Sequence, residues 1–450
     1  GIFISQDYMR IYNYGEYLSH LIGYINKPNR KEIELPFITD MPDLDIGKEG
    51  LERGFNPYLV GKAGQREIEV NSYGRIIREI SRKDSTQGKD LQITIDLRIQ
   101  KYASNLLNLH KAGSVVLMNI ENGNILCMAS NPTYDPNKII KKPNKKYWDS
   151  ILMNDLSPLT FRSVQGLYAP GSTFKMIVAI AAIYHGVIDI NSKFVCNGKI
   201  GLGERLYHCW KNNGHGMMNV DSALMESCDV FFYEISKKVG IDKISEVAQD
   251  FGLGKIYDIP IQNQKKGIIP SKKWKKENLD ENWYPGETLI SAIGQGFVLT
   301  NPLQLATMTS IIASEGSFVT PSIIKKTSSN NFKKIDKYKT AIKIIKNSMF
   351  KVVNEKKGTA YKSKSEKFLF SGKTGTSQVR RITVAERESD DFRKKEVEWK
   401  KRDHALFVGY MPSDKPKYAI SVVIEHGGSG ASAAAPIAKD IFKYVNELNI

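Results

Sequence analysis

The chain has 450 residues, a formal net charge of +17, and 41% hydrophobic and 25% charged residues. This is the composition of a folded protein, and four cysteines are too few for a disulfide scaffold. No apolar run is long enough to predict a membrane span. Lysine clusters such as KKPNKK, residues 141 to 146, are typical of solvated surface. No nucleic-acid-binding signature accompanies them, so we expect no nucleic-acid partner.

The first part of the chain predicts a small extended module. It opens in GIFISQDYMRIYNYG without an initiating Met, and we expect that an N-terminal segment precedes it. Residues 47 to 84 are rich in glycine and charge, and their period-two stretch REIEVNSYGRIIREI predicts strands. We place a domain boundary near residue 90.

The remaining elements predict an α+β domain. Residues 93 to 107 pass from a strand into an amphipathic helix, and GSVVLMNI and NILCMAS flank the turn signal ENG as a hairpin. Further strands are predicted at 368 to 379, 404 to 411 and 417 to 426, before a C-terminal amphipathic helix. Strands at both ends of this region predict one antiparallel sheet assembled from distant segments. Dense alternating charge over residues 383 to 403 favours an exposed helix.

The stretch APGSTFKM places Ser172 three positions before Lys175, at the start of an apolar run to residue 185 that predicts a buried helix. If Ser172 begins this helix, its hydroxyl lies at the positive end of the helix dipole and Lys175 lies one turn along the same face. A serine nucleophile needs an adjacent base, and a neutral lysine can serve. Serine is also a favoured N-cap, so the spacing alone is weak evidence.

Two further stretches strengthen the chemical interpretation. ESCDVFFYE and SGKTGTS contribute Ser227, Asp229, Lys373, Thr374, Gly375 and Thr376. A glycine inside a strand indicates close approach by another backbone or a ligand, and a neighbouring cation suits a substrate carboxylate. Taken singly, Ser227 and Asp229 could cap a helix and Lys373 could be solvated, but the joint order of the three motifs disfavours these alternatives.

The ordered motifs Ser-x-x-Lys, Ser-x-Asp and Lys-Thr-Gly-Thr resemble those of the serine acyltransferases that react with penicillin. Together with AIGQG and FVGYMP, they make residues 47 to 446 similar to the class B penicillin-binding proteins, most closely to the penicillin-binding protein 2 group of cell elongation. Asp229 stands where most of the wider superfamily has Asn, which agrees with that group. The resemblance implies an elongated, truncated pedestal module at residues 1–90. It also implies a transpeptidase domain at 91–450, with an antiparallel sheet flanked by helices and a helical subdomain.

The resemblance implies a peptidoglycan D,D-transpeptidase without a catalytic cofactor. Ser172 would be the nucleophile, Lys175 its base, Ser227 a proton relay, and Lys373 a group that helps to keep Lys175 neutral. Asp229, Thr374, Gly375 and Thr376 would bind substrate, and the backbone N–H groups of Ser172 and Thr376 would form the oxyanion hole. A D,D-carboxypeptidase, a β-lactam hydrolase and a non-catalytic scaffold or penicillin sensor stay as alternatives.

The same resemblance implies where the protein acts and with what. Its ligands would be peptidoglycan stem peptides and β-lactams. Its partners would be a polytopic membrane glycosyltransferase and scaffold proteins of cell elongation. We expect an inner-membrane anchor and a catalytic domain in the periplasm.

A cluster of metal-ligand residue types surrounds the second motif. It comprises Cys196, Cys209, His215 and Cys228, with 12, 5 and 12 intervening residues. Three thiols and one imidazole suit tetrahedral zinc, although these spacings are looser than those of zinc fingers. Members of the resembled group can bind a metal at matching places, so we expect a structural zinc ion. A Cys196–Cys209 disulfide, buried free thiols and His208 as a substitute ligand stay as alternatives.

Overall fold

The computed structural model describes residues 9–35, 37–38, 44–140, 145–325, 333–380 and 397–449. By their internal contacts, these residues form two compact units. The first contains the N-terminal segment to Ile93 together with residues 133–159 and 259–262. The second contains residues 94–132, 160–258 and 263 onward. Within the described ranges, no helix combines the length and the apolar character needed to cross a lipid bilayer.

Both units contain helices as well as strands. In chain order, the helices are α1 (Gly15–Ile22), α2 (Gly50–Gly54), α3 (Asn56–Leu59), α4 (Leu97–Leu107), α5 (Pro136–Ile140), α6 (Lys145–Leu152), α7 (Arg162–Gln165), α8 (Lys175–Tyr184), α9 (Val220–Met225), α10 (Asp229–Val239), α11 (Ile241–Asp250), α12 (Lys272–Leu279), α13 (Pro285–Ala292), α14 (Pro302–Ala313), α15 (Lys339–Asn354) and α16 (Ala435–Glu447). The strands are β1 (Ile25–Asn26), β2 (Ile46–Gly47), β3 (Gln65–Val70), β4 (Ile76–Lys83), β5 (Gly113–Asn119), β6 (Ile125–Asn131), β7 (Phe194–Cys196), β8 (Lys199–Leu202), β9 (Arg205–His208), β10 (Gly216–Met218), β11 (Ser317–Phe318), β12 (Lys333–Lys334), β13 (Ser371–Ser377), β14 (His404–Met411) and β15 (Tyr418–Ile424).

The first unit has a small core and an exposed hairpin. Strands β3 and β4 pair antiparallel, as the period-two pattern predicts, and nearly all their residues are exposed. Helix α1 lies close to the start of α2, where Gly23 has a φ of +83° and a Cβ would lie 1.9 Å from the Glu49 carbonyl oxygen. Only glycine fits this approach, which lets Leu21 and Leu51 be buried.

The second unit is built on a five-stranded antiparallel sheet with the order β13-β14-β15-β5-β6. Its strands come from residues 113–131 and 371–424, which confirms the predicted sheet of distant segments. Helices α4 and α16 share one core with the sheet, in which Ile99 and Phe442 meet Val115 and Phe407. Helix α14 packs on β5 and β15 and is buried along its whole length.

Helix α8 is buried as predicted, but it begins later than the sequence suggested. The predicted start at Ser172 is wrong: Ser172 lies in a 3-10 turn, Gly171–Thr173, and α8 starts at Lys175. Gly171 has a φ of +53°, outside the right-handed helical region, and its N–H donates to the Gly294 carbonyl oxygen at 2.9 Å. The serine therefore lies on a tight turn ahead of the helix.

The predicted helix at 383–403 falls largely outside the described residues. The described remainder, residues 397–403, contains a 3-10 turn at Trp399–Lys401.

Candidate active site

Lys175 is the first residue of α8 and is wholly buried. A buried ammonium is costly unless polar partners replace its water. Its Nζ donates to three acceptors of the second motif: the Ser227 carbonyl oxygen at 3.0 Å, the Ser227 Oγ at 3.2 Å and the Asp229 Oδ1 at 2.7 Å. The structure therefore brings the first and second motifs together.

Ser227 lies between α9 and α10 with a φ of +57°, a left-handed conformation that costs free energy for a residue other than glycine. In this conformation its hydroxyl faces two lysine side chains. The Ser227 Oγ accepts from Lys175 Nζ at 3.2 Å and from Lys373 Nζ at 3.0 Å. A strained backbone held by such contacts is typical of functional sites.

Lys373 belongs to β13 and is also wholly buried. Besides Ser227, its Nζ contacts the Thr374 carbonyl oxygen at 3.1 Å. Burial and the nearby Lys175 charge hold the pKa of Lys373 well below its usual value. The third motif therefore joins the same network through a lysine that favours its neutral form.

Asp229, predicted to bind substrate, directs each of its carboxylate oxygens to a donor within the protein. Its Oδ1 accepts from Lys175, and its Oδ2 accepts from the Trp210 backbone N–H at 2.9 Å. Burial raises the pKa of this carboxyl group, and Lys175 partly opposes that shift. One of its two donors is thus the lysine of the first motif, and the other is the backbone next to Cys209.

The turn that carries Ser172 packs tightly against β13. A Cβ on Gly171 would lie 2.4 Å from the Thr376 carbonyl oxygen, and a Cβ on Gly375 would lie 2.9 Å from the Pro170 carbonyl oxygen. Gly375 thus marks close approach by another backbone, one of the two causes expected for a glycine inside a strand. The two glycines bring the Ser172 turn beside the third motif.

The two threonines of the third motif differ in environment. Thr374 is buried, and its hydroxyl lies 2.7 Å from the hydroxyl of Thr359. Thr376 is partly exposed, and its carbonyl oxygen accepts from Gln295 Nε2 at 3.0 Å. Of the two hydroxyls, that of Thr376 is the more accessible to a ligand.

The four predicted metal-ligand residues also meet. Their ligand atoms lie within 4.8 Å of one another, and the His215 Nδ1 is 3.5 Å from both the Cys196 and the Cys209 sulfur. Cys228 lies at the start of α10, between Ser227 and Asp229. All four cysteines of the chain are free thiols, which does not support the alternative disulfide. Among the described residues, His208 is not part of this group of possible metal ligands.

Comparison with known families agrees with this geometry. The penicillin binding protein transpeptidase domain matches residues 113–443, and the penicillin-binding protein dimerisation domain matches residues 1–93. The chain belongs to the penicillin-binding protein transpeptidase family.

Individual members of this family are similar over nearly the whole chain. Peptidoglycan D,D-transpeptidase MrdA of Haemophilus influenzae is 34% identical over 97% of this chain and 69% of its own length. PBP2 from Helicobacter pylori, solved in complex with MreC, matches with a TM-score of 0.88 at 30% identity, covering 97% of this chain and 79% of that chain. Pseudomonas aeruginosa PBP2 in complex with WCK 5153 matches with a TM-score of 0.82 at 31% identity, covering 96% of this chain and 89% of that chain. The predicted group and fold class are confirmed.

Two residues of this penicillin-binding transpeptidase site were not predicted from the sequence. Gln295 lies in the stretch AIGQG and fixes Thr376. Trp210 donates its indole N–H to the Ser227 carbonyl oxygen at 3.0 Å and its backbone N–H to Asp229. The position of Trp210 directly after Cys209 was the available signal, because the metal cluster and the second motif share Cys228.

Proposed function

We propose that this penicillin-binding transpeptidase is a peptidoglycan D,D-transpeptidase in which Ser172 is the acylated nucleophile. One observation carries the assignment: the Ser227 hydroxyl accepts hydrogen bonds from Lys175 and Lys373, so three distant motifs share one buried network. The names of the curated relatives favour this function over the carboxypeptidase, hydrolase and scaffold or sensor alternatives.

In acylation, the Ser172 oxygen attacks the carbonyl carbon between the two terminal D-alanines of a stem peptide, and its proton passes to the Lys175 amine. Lys175 must therefore be neutral when the attack begins. Asp229 accepts a hydrogen bond from Lys175 Nζ at 2.7 Å and so holds this amine in place for the transfer. To Lys373, whose Nζ lies 3.0 Å from the same Ser227 hydroxyl, we assign the role of helping to keep Lys175 neutral.

The carbonyl oxygen becomes an oxyanion, and we assign its stabilisation to the backbone N–H groups of Ser172 and Thr376. The C–N bond then breaks, and the leaving D-alanine amine takes a proton from the Ser227 hydroxyl, which a neighbouring lysine replenishes. Thr374, Gly375 and Thr376 hold the terminal carboxylate. Their strand, β13, is an edge strand of the sheet, a position that suits pairing with an extended peptide. No step requires a cofactor.

An amine of a neighbouring stem peptide completes the reaction. It attacks the ester carbonyl and gives up one proton, which passes through Lys175 to the departing Ser172 oxygen. The new peptide bond cross-links two strands. The test is incubation with a D-Ala-D-Ala stem peptide and an amine acceptor, followed by mass analysis of the products. A cross-linked product from the parent protein, absent with Ser172→Ala, supports the proposal. Hydrolysed donor alone would make the protein a carboxypeptidase.

We further propose that the cysteine and histidine cluster binds one structural zinc ion. Three thiolates and an imidazole are a zinc donor set, and zinc–sulfur bonds of about 2.3 Å put neighbouring sulfurs about 3.8 Å apart. The observed limit of 4.8 Å is close to that spacing. Four protein ligands leave no open position for substrate, so the ion would supply rigidity. It would make the backbone around Cys228 more rigid, and this stretch of backbone includes Ser227 and Asp229.

The partners and location follow from the family. We propose that residues 1–90 form the pedestal and residues 91–450 the transpeptidase domain. The pedestal would contact an elongation scaffold protein and a polytopic membrane glycosyltransferase. The Helicobacter pylori relative was solved in complex with MreC, which supports a partner of the first kind. We place the catalytic domain in the periplasm of a protein held at the inner membrane.

A further inference from the structure

A second polar cluster, in which Arg162 and Tyr168 are buried and Glu425 is partly exposed, lies beside the Ser172 turn and has no part in the proton transfers above. Glu425, one residue beyond β15, accepts from Arg162 Nε at 2.9 Å and from the Tyr168 hydroxyl at 2.6 Å. Arg162 and Tyr168 are 4% and 5% exposed. An ion pair at this depth is not by itself evidence of added stability, because the desolvation cost of the charges offsets their attraction.

Tyr168 links this cluster to the nucleophile. It lies four residues before Ser172, and its backbone exchanges two hydrogen bonds of 2.9 Å with Thr300. The intervening residues Ala169, Pro170 and Gly171 leave little freedom, because the proline ring fixes φ and the Gly171 N–H is bonded to Gly294. The position of the Tyr168 ring therefore influences the position of the Ser172 turn.

The chain that follows Glu425 approaches the opposite wall of the site. The segment after it turns through Gly430, where a Cβ would lie 2.4 Å from the Gly375 carbonyl oxygen and 2.2 Å from the Leu406 carbonyl oxygen. That segment thus contacts the strand that carries the third motif. The two N–H groups of the oxyanion hole come from these two walls, and such donors need accurate placement to stabilise charge.

We propose that Glu425 is a positioning residue for acylation, which holds the Ser172 turn at its distance from β13 through the Tyr168 hydroxyl. The inference rests on the proposed function of Ser172 and adds to it a residue outside the three motifs. Glu425 touches neither the substrate nor the reacting atoms. Its removal changes how fast a bound β-lactam acylates Ser172, and leaves non-covalent binding largely unchanged.

The chain offers a control with the same three kinds of side chain. Tyr338 is also a buried tyrosine, and its hydroxyl donates to Asp250 Oδ2 at 2.8 Å. Lys337 pairs with the same Asp250 oxygen at 2.8 Å, so the trio repeats the tyrosine, carboxylate and cation of Tyr168, Glu425 and Arg162. The Tyr338 ring packs on Tyr184 at the C-terminal end of α8. That end lies about 14 Å along the helix from Lys175.

The experiment compares Tyr168→Phe with Tyr338→Phe, each of which removes one buried hydroxyl and keeps the ring. We measure the Tm and the acylation rate against benzylpenicillin concentration, which separates the limiting rate constant from the dissociation constant. Both variants should lose a similar few degrees in Tm. Only Tyr168→Phe should lower the limiting rate constant, by about tenfold or more, since small displacements near reacting atoms are costly.

Equal rate constants in Tyr168→Phe and the parent would overturn the inference while leaving Ser172 as the nucleophile. An equal loss in both variants would also overturn it, because the effect would then follow stability. A parent protein that is not acylated at all would remove the proposed function and this inference together. If Tyr168→Phe does not fold, Glu425→Gln against Asp250→Asn asks the same question with the same measurements.

Discussion

The Lys373 Nζ lies 3.0 Å from the Ser227 hydroxyl oxygen, although the two residues are 146 positions apart in the chain. The Nζ of Lys175, which belongs to the first motif, lies 3.2 Å from the same hydroxyl. Ser227 therefore connects the two lysines, and this arrangement has consequences that can be measured.

Replacement of Lys373 should abolish most of the acylation. Lys373→Met keeps an apolar side chain of similar length in a buried position, and removes the donor to Ser227. We expect the rate of acylation by benzylpenicillin to fall by roughly a hundredfold or more. The control is Lys275→Met, because Lys275 is also a buried lysine but pairs with Glu287. The control should fold and be acylated at the parent rate. If Lys373→Met were acylated equally fast, the assignment of Lys373 would be contradicted.

The pKa of Lys373 also predicts how stability depends on pH. Since this pKa is lowered on folding, the unfolded chain binds the additional proton between the folded value and about 10.5. The free energy of unfolding therefore rises with pH across this window, by at most about 1.4 kcal/mol per pH unit from this group. Lys373→Met lacks the contribution, so urea unfolding from about pH 7 to 9.5 should give a smaller slope than in the parent. An equal or larger slope would contradict the prediction.

Gly171→Ala tests the close approach of the Ser172 turn to β13. The new Cβ would lie 2.4 Å from the Thr376 carbonyl oxygen, at a φ of +53°. We expect roughly 3 kcal/mol of lost stability in urea, together with slow acylation. Gly186→Ala is the control, since Gly186 has a φ of +67° and no atom within 4 Å of a new Cβ. It should lose only about 1 kcal/mol and keep the parent acylation rate. If the two variants lost the same stability and were acylated at the same rate, the close contact at Gly171 would not be the cause of the effect.

The metal proposal predicts a difference between two buried thiols. Cys196 belongs to the cluster, whereas Cys127 lies in the core of the sheet with Ile99 and Phe407. Protein purified without chelator should contain about one equivalent of zinc by elemental analysis. Cys196→Ser should lose most of that zinc, and Cys127→Ser should retain it. Less than a tenth of an equivalent in the parent protein would refute the site.

The parts of the fold that could be predicted are those with a local signal. Hairpin β5–β6 and strands β14 and β15 are marked by apolar runs and turn residues, and α8 by its uniformly apolar sequence. The predicted start of α8 is wrong because the residue types around Gly171 do not indicate that its φ is positive. Residues 133–159 group with the N-terminal unit, and their short helices carry no signal of which segment they contact.

The site was predictable to the extent that its motifs are compact in sequence. Serine and lysine at fixed spacing indicate chemistry, but the sequence does not say that Asp229 turns inward to Lys175. The Tyr168 and Glu425 pair was missed entirely, because its members are 257 positions apart and each resembles an ordinary residue of its element. Such long-range pairs depend on the sheet that joins both ends of the domain.

The most direct test of the central claim is the mass of the intact protein after incubation with benzylpenicillin, followed by peptide mapping of the adduct. We predict one adduct per chain, on the peptide that contains Ser172, and none on Ser172→Ala. A time course of recovery should show slow loss, as expected for an acyl-enzyme that awaits an amine. An adduct that persists in Ser172→Ala, or that maps to another residue, would contradict the account.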